Sequence, residues 1–369
     1  MRSRCLIAWL LLLLAAAMPD PRSDAATISE QTSRLWRLAA QEQAEFDQRG
    51  VILKDPALSR YLQRVVERLW KQVPSRLNMP TVNIIADTRI EAHAYPNGVC
   101  FLSTGMLVVL ENESQLAMIL AHEMVHYAEQ HTAALYNHFQ AASRSSDGRE
   151  ADGGGSVSGM AMRHTIDAAE RQADREGLAI IQAAGYCDKE VLPLMANLVR
   201  CMLDQGHPEG VSELNKRAER FNALVHPDGE CPTGSAVTGT DANGYRDCVA
   251  PALIANAAFA LKGGDWSQAE RSISRFLESE PLNARAYYLR GEVLRRQNRG
   301  RPNPACIDAY EKALEIDPSF QLTHRALGEL YYKAGRYQMA KPHFEAFLDL
   351  APGDAASAFI KGYLKRCQK

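Results

Sequence analysis

The sequence predicts an α+β domain followed by an all-α domain of paired helices. Three observations carry that division. Up to His226, helical periodicity is interrupted near residues 81–103 by short β-branched runs around a Pro-Asn-Gly turn. Beyond Pro251 the chain is self-similar at a spacing of 34 to 37 residues. Between the two lies a stretch rich in Gly, Pro and Thr that reads as a linker loop. The expected boundaries are a leader at 1–25, the α+β domain at 26–227, the linker at 228–250 and the all-α domain at 251–369.

The leader has Arg2 and Arg4 ahead of an apolar run from Leu6 to Ala17, with small residues after it. This is the pattern of a secretory signal peptide, with cleavage expected after Ala17 or Ala25. As a helix the run would reach only about 18 Å, against roughly 30 Å of hydrocarbon, so a membrane span is the weaker reading. No later apolar run has the length of a span. The net charge of -2 and the lack of a basic cluster give no support for nucleic-acid binding.

Helical spacing of apolar residues runs from Ile28 to Arg49 and from Asp55 to Val73, where Asp55 and Pro56 suit the N-cap and first turn. Thr81 to Ile85 reads as a strand, Tyr95-Pro96-Asn97-Gly98 as a turn, and Val99 to Ser103 as a second strand. Asn112 with Gln115 resembles a capping box opening a helix expected over Glu113 to Ala141. Ser143 to Ser158 is loop-like Gly, Ser and Asp, and a further helix is expected over Thr165 to Ala184.

In the second domain Ala269, Cys306 and Ala340 form one series, Phe276, Ala313 and Phe347 another, and Pro281, Pro318 and Pro352 a third. Each steps by 37 and then 34 residues, and the three extra residues fall near Asn298 to Pro304. Leu327-Gly328, Tyr331, Ala340 and Pro352 stand at the signature spacing of the tetratricopeptide repeat, which the segment resembles. Ala257 replaces the glycine in the first repeat, and Ala355 to Arg366 reads as a terminal capping helix. Such arrays present extended surfaces to proteins.

The chemistry-bearing motif is His122-Glu123-Met124-Val125-His126. Two histidines four apart on a helix share a face and can grip one ion, and the intervening Glu123 can serve as general base toward an activated water. Catalytic zinc commonly takes three protein ligands. A histidine six residues past His126 is excluded by Thr132, and His131 and His138 are expected well round the helix. Glu170 and Asp174 lie one turn apart on the next helix, with small Ala173 between them. Glu170 is therefore a candidate ligand, an exposed helix acid being the plain alternative, and Asp174 a candidate for orienting a ligating imidazole.

From about Ile28 to His226 the chain resembles metallopeptidase family forty-eight, a group of gluzincins, in this motif and in Ala92-His93-Ala94-Tyr95-Pro96-Asn97-Gly98 followed by Ser103-Thr104-Gly105-Met106-Leu107. Glu91 and His93 depart from the family's usual Asn and aromatic residue. The resemblance implies a zincin-like fold, one zinc held by His122, His126 and Glu170, Glu123 as base, and Asp174 as supporting carboxylate. His226-Pro227 resembles the family's closing His-Pro, implying a fourth zinc ligand or switch, with His207-Pro208 as competitor. The strand of Val99, Cys100, Phe101, Leu102 and Ser103 is expected to receive extended substrate by edge pairing. With the leader and repeats, the resemblance implies a periplasmic peptidase, peripheral to the outer membrane, that acts on unfolded or misassembled envelope proteins and meets the barrel-assembly machinery through its repeats. The rival reading is a chaperone or adaptor whose metal site is vestigial.

Seven cysteines follow the leader, an odd number for an oxidising compartment. Cys231 and Cys248 flank the linker and form a candidate loop-closing disulfide, with two thiols as the alternative.

Overall fold

The computed structural model describes residues 25–135, 157–225, 231, 242–301 and 303–367. The leader therefore lies outside the described residues, as do His138 and most of the 143–158 stretch. The chain forms two compact units, Met1–Ile85 with Arg89–Tyr245, and Ala86–Thr88 with Arg246–Lys369.

The first unit opens with α1 (Ala25–Gln48) and α2 (Pro56–Trp70). Asp55 caps α2 as its position predicts, its carboxylate accepting from the amides of Ala57 and Leu58. The face of α2 carrying Leu58, Tyr61, Leu62, Val65, Val66 and Leu69 is buried, which is the stripe its periodicity calls for.

Strands β1 (Thr81–Ile85), β2 (Ala92–Ala94) and β3 (Val99–Ser103) form a sheet of order β1-β3-β2. β1 runs parallel to β3 with Thr81 opposite Val99, and β2 runs antiparallel to it with His93 opposite Phe101. The Tyr95 to Gly98 turn closes with Gly98 donating to the Tyr95 carbonyl at 3.0 Å. Gly98 has φ +83°, and an added Cβ would meet the Tyr127 hydroxyl at 2.8 Å, so both backbone and space call for glycine there. Phe101 and Tyr95 pack under Ala39 of α1, with Phe46 edge-on to Phe101.

Helices α3 (Thr104–Val109), α4 (Glu113–Ala128), α5 (Val157–Ala183), α6 (Val191–Asp204) and α7 (Val211–Leu224) complete this unit. Asn112 caps α4 by accepting from Gln115, whose side chain returns a bond to the Glu111 amide, so the expected reciprocal cap is present one residue displaced. α4 ends thirteen residues before the expected Ala141, because Gln130 adopts φ 52° and turns the chain before residues 131–135 resume a helix. Cys231 is bonded to Cys187, 44 residues away, and not to Cys248. Cysteine counting cannot choose partners, and the segment after α5 brings Cys187 within a Cα separation of 4.9 Å.

The second unit is helical: α8 (Ala242–Gly263), α9 (Trp266–Ser279), α10 (Ala284–Gln297), α11 (Pro304–Ile316), α12 (Gln321–Lys333), α13 (Tyr337–Leu350) and α14 (Ser357–Cys367). α8 begins inside the stretch expected to be linker. Its Asn and Gly suggest a loop, but Val249, Ala252 and Leu253 are fully buried at helical spacing, and packing overrides the local preference. The repeat registers are core positions: Ala269, Cys306 and Ala340 have no exposure, nor do Ala313 and Phe347. A Cβ on Gly291 would stand 2.5 Å from the Tyr310 ring, and one on Gly328 2.6 Å from Phe344, so these glycines admit the aromatic of the following helix. The three-residue insertion is the connection itself, residues 298–303 between α10 and α11 against 334–336 between α12 and α13.

Candidate metal centre

α4 is buried on nearly every side, from Leu116 through Val125, and is the central helix of its unit. α5 packs against it through Glu170, Ala173, Asp174 and Gly177, residues that follow one helical stripe. Gly177 sets the closeness of approach, since a Cβ there would stand 3.1 Å from the backbone nitrogen of His122. That approach brings the carboxylates of α5 to the imidazoles of α4.

Nε2 of His122 and Nε2 of His126 lie 3.1 Å apart. Glu170 spans them, with Oε2 3.4 Å from the first and Oε1 3.5 Å from the second. One donor atom from each of His122, His126 and Glu170 falls within 4.8 Å of the others. The opposite ring nitrogens are occupied: Asp174 Oδ1 stands 3.2 Å from Nδ1 of His122, and His131 Nδ1 stands 3.0 Å from Nδ1 of His126. Both Nε2 atoms are thereby left facing the same point. Two imidazoles and a carboxylate in this disposition suit zinc.

The electrostatics follow from burial and pairing. Burial and Arg217 oppose charge on His122, but bonding to Asp174 and Glu170 outweighs them and raises its pKa to about 9. Burial, with His122 beside it, lowers His126 to about 3. Burial opposes ionisation of Glu170, yet the hydrogen bond and charge of His122 hold it down to about 2. Asp174 is likewise buried and still held below the usual carboxylate range by His122 and Arg217. Glu123 is raised to about 6, chiefly by burial, with His122 pulling the other way, Glu170 reinforcing the rise and a hydrogen bond from the Ala94 backbone opposing it.

Three residues of this cluster carry no distinctive sequence signal. Arg217 of α7 donates from Nη2 to Asp174 Oδ1 at 2.6 Å, and that nitrogen is 3.3 Å from Nδ1 of His122. Arg220, one turn on, reaches Asp174 Oδ2 at 3.0 Å. An arginine pair at this spacing is ordinary on a solvated helix face. His131 reaches His126 only because the helix breaks at Gln130, contrary to its expected place round a continuous helix; its Nε2 meets Gln172 at 3.3 Å.

The remaining expected site residues fare differently. His226 lies outside the described residues. His207 turns its Nδ1 to Glu209 at 3.3 Å and is not among the converging donors. Val99 to Ser103 is not an edge: β3 is the central strand, paired on both sides, with Cys100, Phe101, Leu102 and Ser103 buried. The edge beside α4 is β2. Tyr95 donates to Val99 and Ser103 to Glu91, each outside β2, so by antiparallel alternation the backbone groups of Ala92 and Ala94 face away from β3.

A family model described as peptidase family M48 matches residues 56–228, and tetratricopeptide repeat models match 257–319 and 321–354. The chain carries a peptidase M48 domain followed by tetratricopeptide repeats. The M48 match spans the whole cluster, from the sheet to the end of α7. The beta-barrel assembly-enhancing protease of Escherichia coli (strain K12) is 23% identical over 340 residues, 78% of this chain and 68% of that one. The Yersinia pestis protein of the same name is 24% identical over 206 residues, 48% of this chain and 42% of its own length. A Vibrio cholerae protein for which that activity is inferred is 26% identical over 162 residues, so this chain spans 33% of that relative. Among the described residues no helix is long and apolar enough to cross a membrane.

Proposed function

We propose that this chain is an exported, zinc-dependent endopeptidase of the gluzincin type that cuts unfolded or misassembled envelope proteins in the periplasm, peripheral to the outer membrane. The observation that carries the reading is the convergence of His122, His126 and Glu170 within 4.8 Å, with Glu123 next in sequence and bonded to the β2 backbone. His122, His126 and Glu170 would hold one zinc ion per chain. When bound, zinc supplies a Lewis acid for the scissile carbonyl and an acidified water.

The chain's own residues do the rest. Glu123 takes the proton of the attacking water on its carboxylate and returns it to the leaving amine. Its buried setting brings its pKa nearer to neutrality, where a base exchanges protons well. Asp174, fixed by Arg217 and Arg220, keeps His122 oriented, and His131 does the same for His126. Ala92 offers its amide and carbonyl, and Ala94 its carbonyl, to an extended chain, a mode of pairing that tolerates varied side chains. His226 acts in the same proposal as a removable fourth ligand, so that His226→Ala raises basal cleavage. The repeats hold a protein partner or client, the barrel-assembly machinery being the partner that the relatives' name suggests.

Glu123→Gln tests the reading, because it removes the base and keeps the donor set. Cleavage of a disordered protein should fall by two orders of magnitude or more, roughly the worth of a general base, with zinc content unchanged. Cleavage at the wild-type rate would leave the chaperone or adaptor reading in its place.

A further inference from the structure

A second pair of histidines converges inside the repeat unit. His324 lies on α12 and His343 on α13, the two helices of one hairpin, and their Nδ1 atoms are 3.2 Å apart. That spacing matches the 3.1 Å between the nitrogens of His122 and His126. With metal–nitrogen bonds of about 2.0–2.1 Å, two nitrogens on one tetrahedral ion stand roughly 3.3 Å apart.

The surroundings settle which nitrogens are available. Nε2 of His324 is 2.9 Å from the Pro318 carbonyl oxygen. A carbonyl only accepts, so that nitrogen carries the hydrogen and Nδ1 of the neutral ring is a bare lone pair directed at His343. An imidazole that donates its far N–H to a backbone carbonyl is the usual arrangement of a metal-ligating histidine. His343 is held by Tyr331, stacked at 5.9 Å with an interplanar angle of 19°, and Tyr331 is itself buried. Both histidines keep partial exposure, which leaves a path for an ion and for water.

We propose that His324 and His343 form a second metal site, which takes a borderline-soft divalent cation of the zinc class and pins α12 to α13. Imidazole donors favour such ions over magnesium or calcium. Two protein ligands leave further positions to water. The site is separate in sequence and in unit from the M48 cluster, and its purpose is to stiffen the repeat hairpin.

The test is a Zn²⁺ titration of the full chain, stripped with a chelator beforehand, against a chromophoric chelator. His324→Gln and His343→Gln should each bind one equivalent fewer than wild type while keeping the wild-type helical circular dichroism. His122→Gln, which breaks the histidine pair of the M48 cluster, should lose the M48 equivalent and retain the one in the repeats, so the two sites fail independently. Zn²⁺ should also raise the melting temperature of His122→Gln and leave that of His122→Gln combined with His343→Gln unmoved. Equal zinc stoichiometry in wild type and both histidine variants would show that the pair merely shares a proton, and would overturn the proposal. Should His343→Gln not fold, His324→Gln, which removes the ring whose Nε2 bonds the Pro318 carbonyl, decides alone.

Discussion

Arg217 grips Asp174 with two donors, Nη2 at 2.6 Å from Oδ1 and Nε at 3.1 Å from each carboxylate oxygen, while the same Oδ1 stands 3.2 Å from Nδ1 of His122. The arginine therefore acts, through a buried carboxylate, on an imidazole of the proposed metal centre. Removing it leaves Asp174 held by Arg220 and His122, so the carboxylate orients the imidazole less firmly.

Arg217→Ala should weaken zinc binding by about 10–100-fold, the range for losing a partner that orients a ligand. It should also cost stability, since breaking a buried pair commonly costs about 3–5 kcal/mol. Arg217→Lys should recover part of the stability and little of the affinity, because an ammonium cannot make the two-pronged contact. Zinc affinity by chelator competition and urea unfolding of both variants check this. Equal affinity in all three proteins would remove Arg217 from the metal site's support.

Glu42 of α1 is 9% exposed and its pKa is raised to about 7, mainly by burial and against the hydroxyl of Tyr95, with Glu45 adding to the rise. The folded chain thus keeps the proton to higher pH than the unfolded chain, whose Glu titrates near 4.5. Stability falls as pH climbs from 4.5 to 7, and the loss is complete above 7. At about 1.4 kcal/mol per pH unit the loss comes to roughly 3 kcal/mol or slightly more. Glu42→Gln should therefore be more stable than wild type at pH 8, by about 1–3 kcal/mol, and no more stable at pH 4. Unfolding midpoints at the two pH values check the sign. An equal difference at both would mean that the carboxyl is not buried as described.

The Cys187–Cys231 bond closes a sequence separation of 44 residues and ties the chain beyond α7 to the end of α5. A link of that span stabilises by about 2–4 kcal/mol through the unfolded state. Cys231→Ser should melt lower than wild type and be indifferent to dithiothreitol, whereas wild type should fall to the variant's value when reduced. Cys248→Ser should keep the wild-type response to reductant. A melting temperature of wild type that ignores reductant would contradict the pairing.

The elements of this chain differ in how far sequence reveals them. α2, α4 and the repeat helices were legible because their apolar stripes, caps and glycine–aromatic registers are local patterns. Glu170 was reachable because a ligand count demanded a third donor and α5 offered one acid a turn from another. His131 was not, since its place depends on a left-handed residue, Gln130, that no glycine announces. Arg217 and Arg220 were hidden for a different reason: their partner is 43 and 46 residues away. The order of strands is likewise non-local, and so Val99 to Ser103 looked like an edge when it is the middle of the sheet.

With β3 in the middle of the sheet, the edge available to the proposed substrate pairing is β2, and a cleaner test follows. Proline at Val99 or Phe101 would remove bonds that hold the sheet, so loss of activity there would say nothing about substrate. At Ala92 the amide points away from β3, and proline is tolerated on an edge strand when its missing N–H faces outward. Ala92→Pro should keep the fold and the zinc while losing one outward donor to an extended substrate. A neutral hydrogen bond is worth about 0.5–1.5 kcal/mol, or roughly 2- to 13-fold. The loss should fall in kcat/KM for a long unstructured substrate, entered mainly through KM, since the pairing binds ground state and transition state alike. A dipeptide-sized substrate too short to pair along β2 should be cut as before. If long and short substrates lose equally, the defect lies in the catalytic groups beneath Ala94, and β2 is not where the substrate is held.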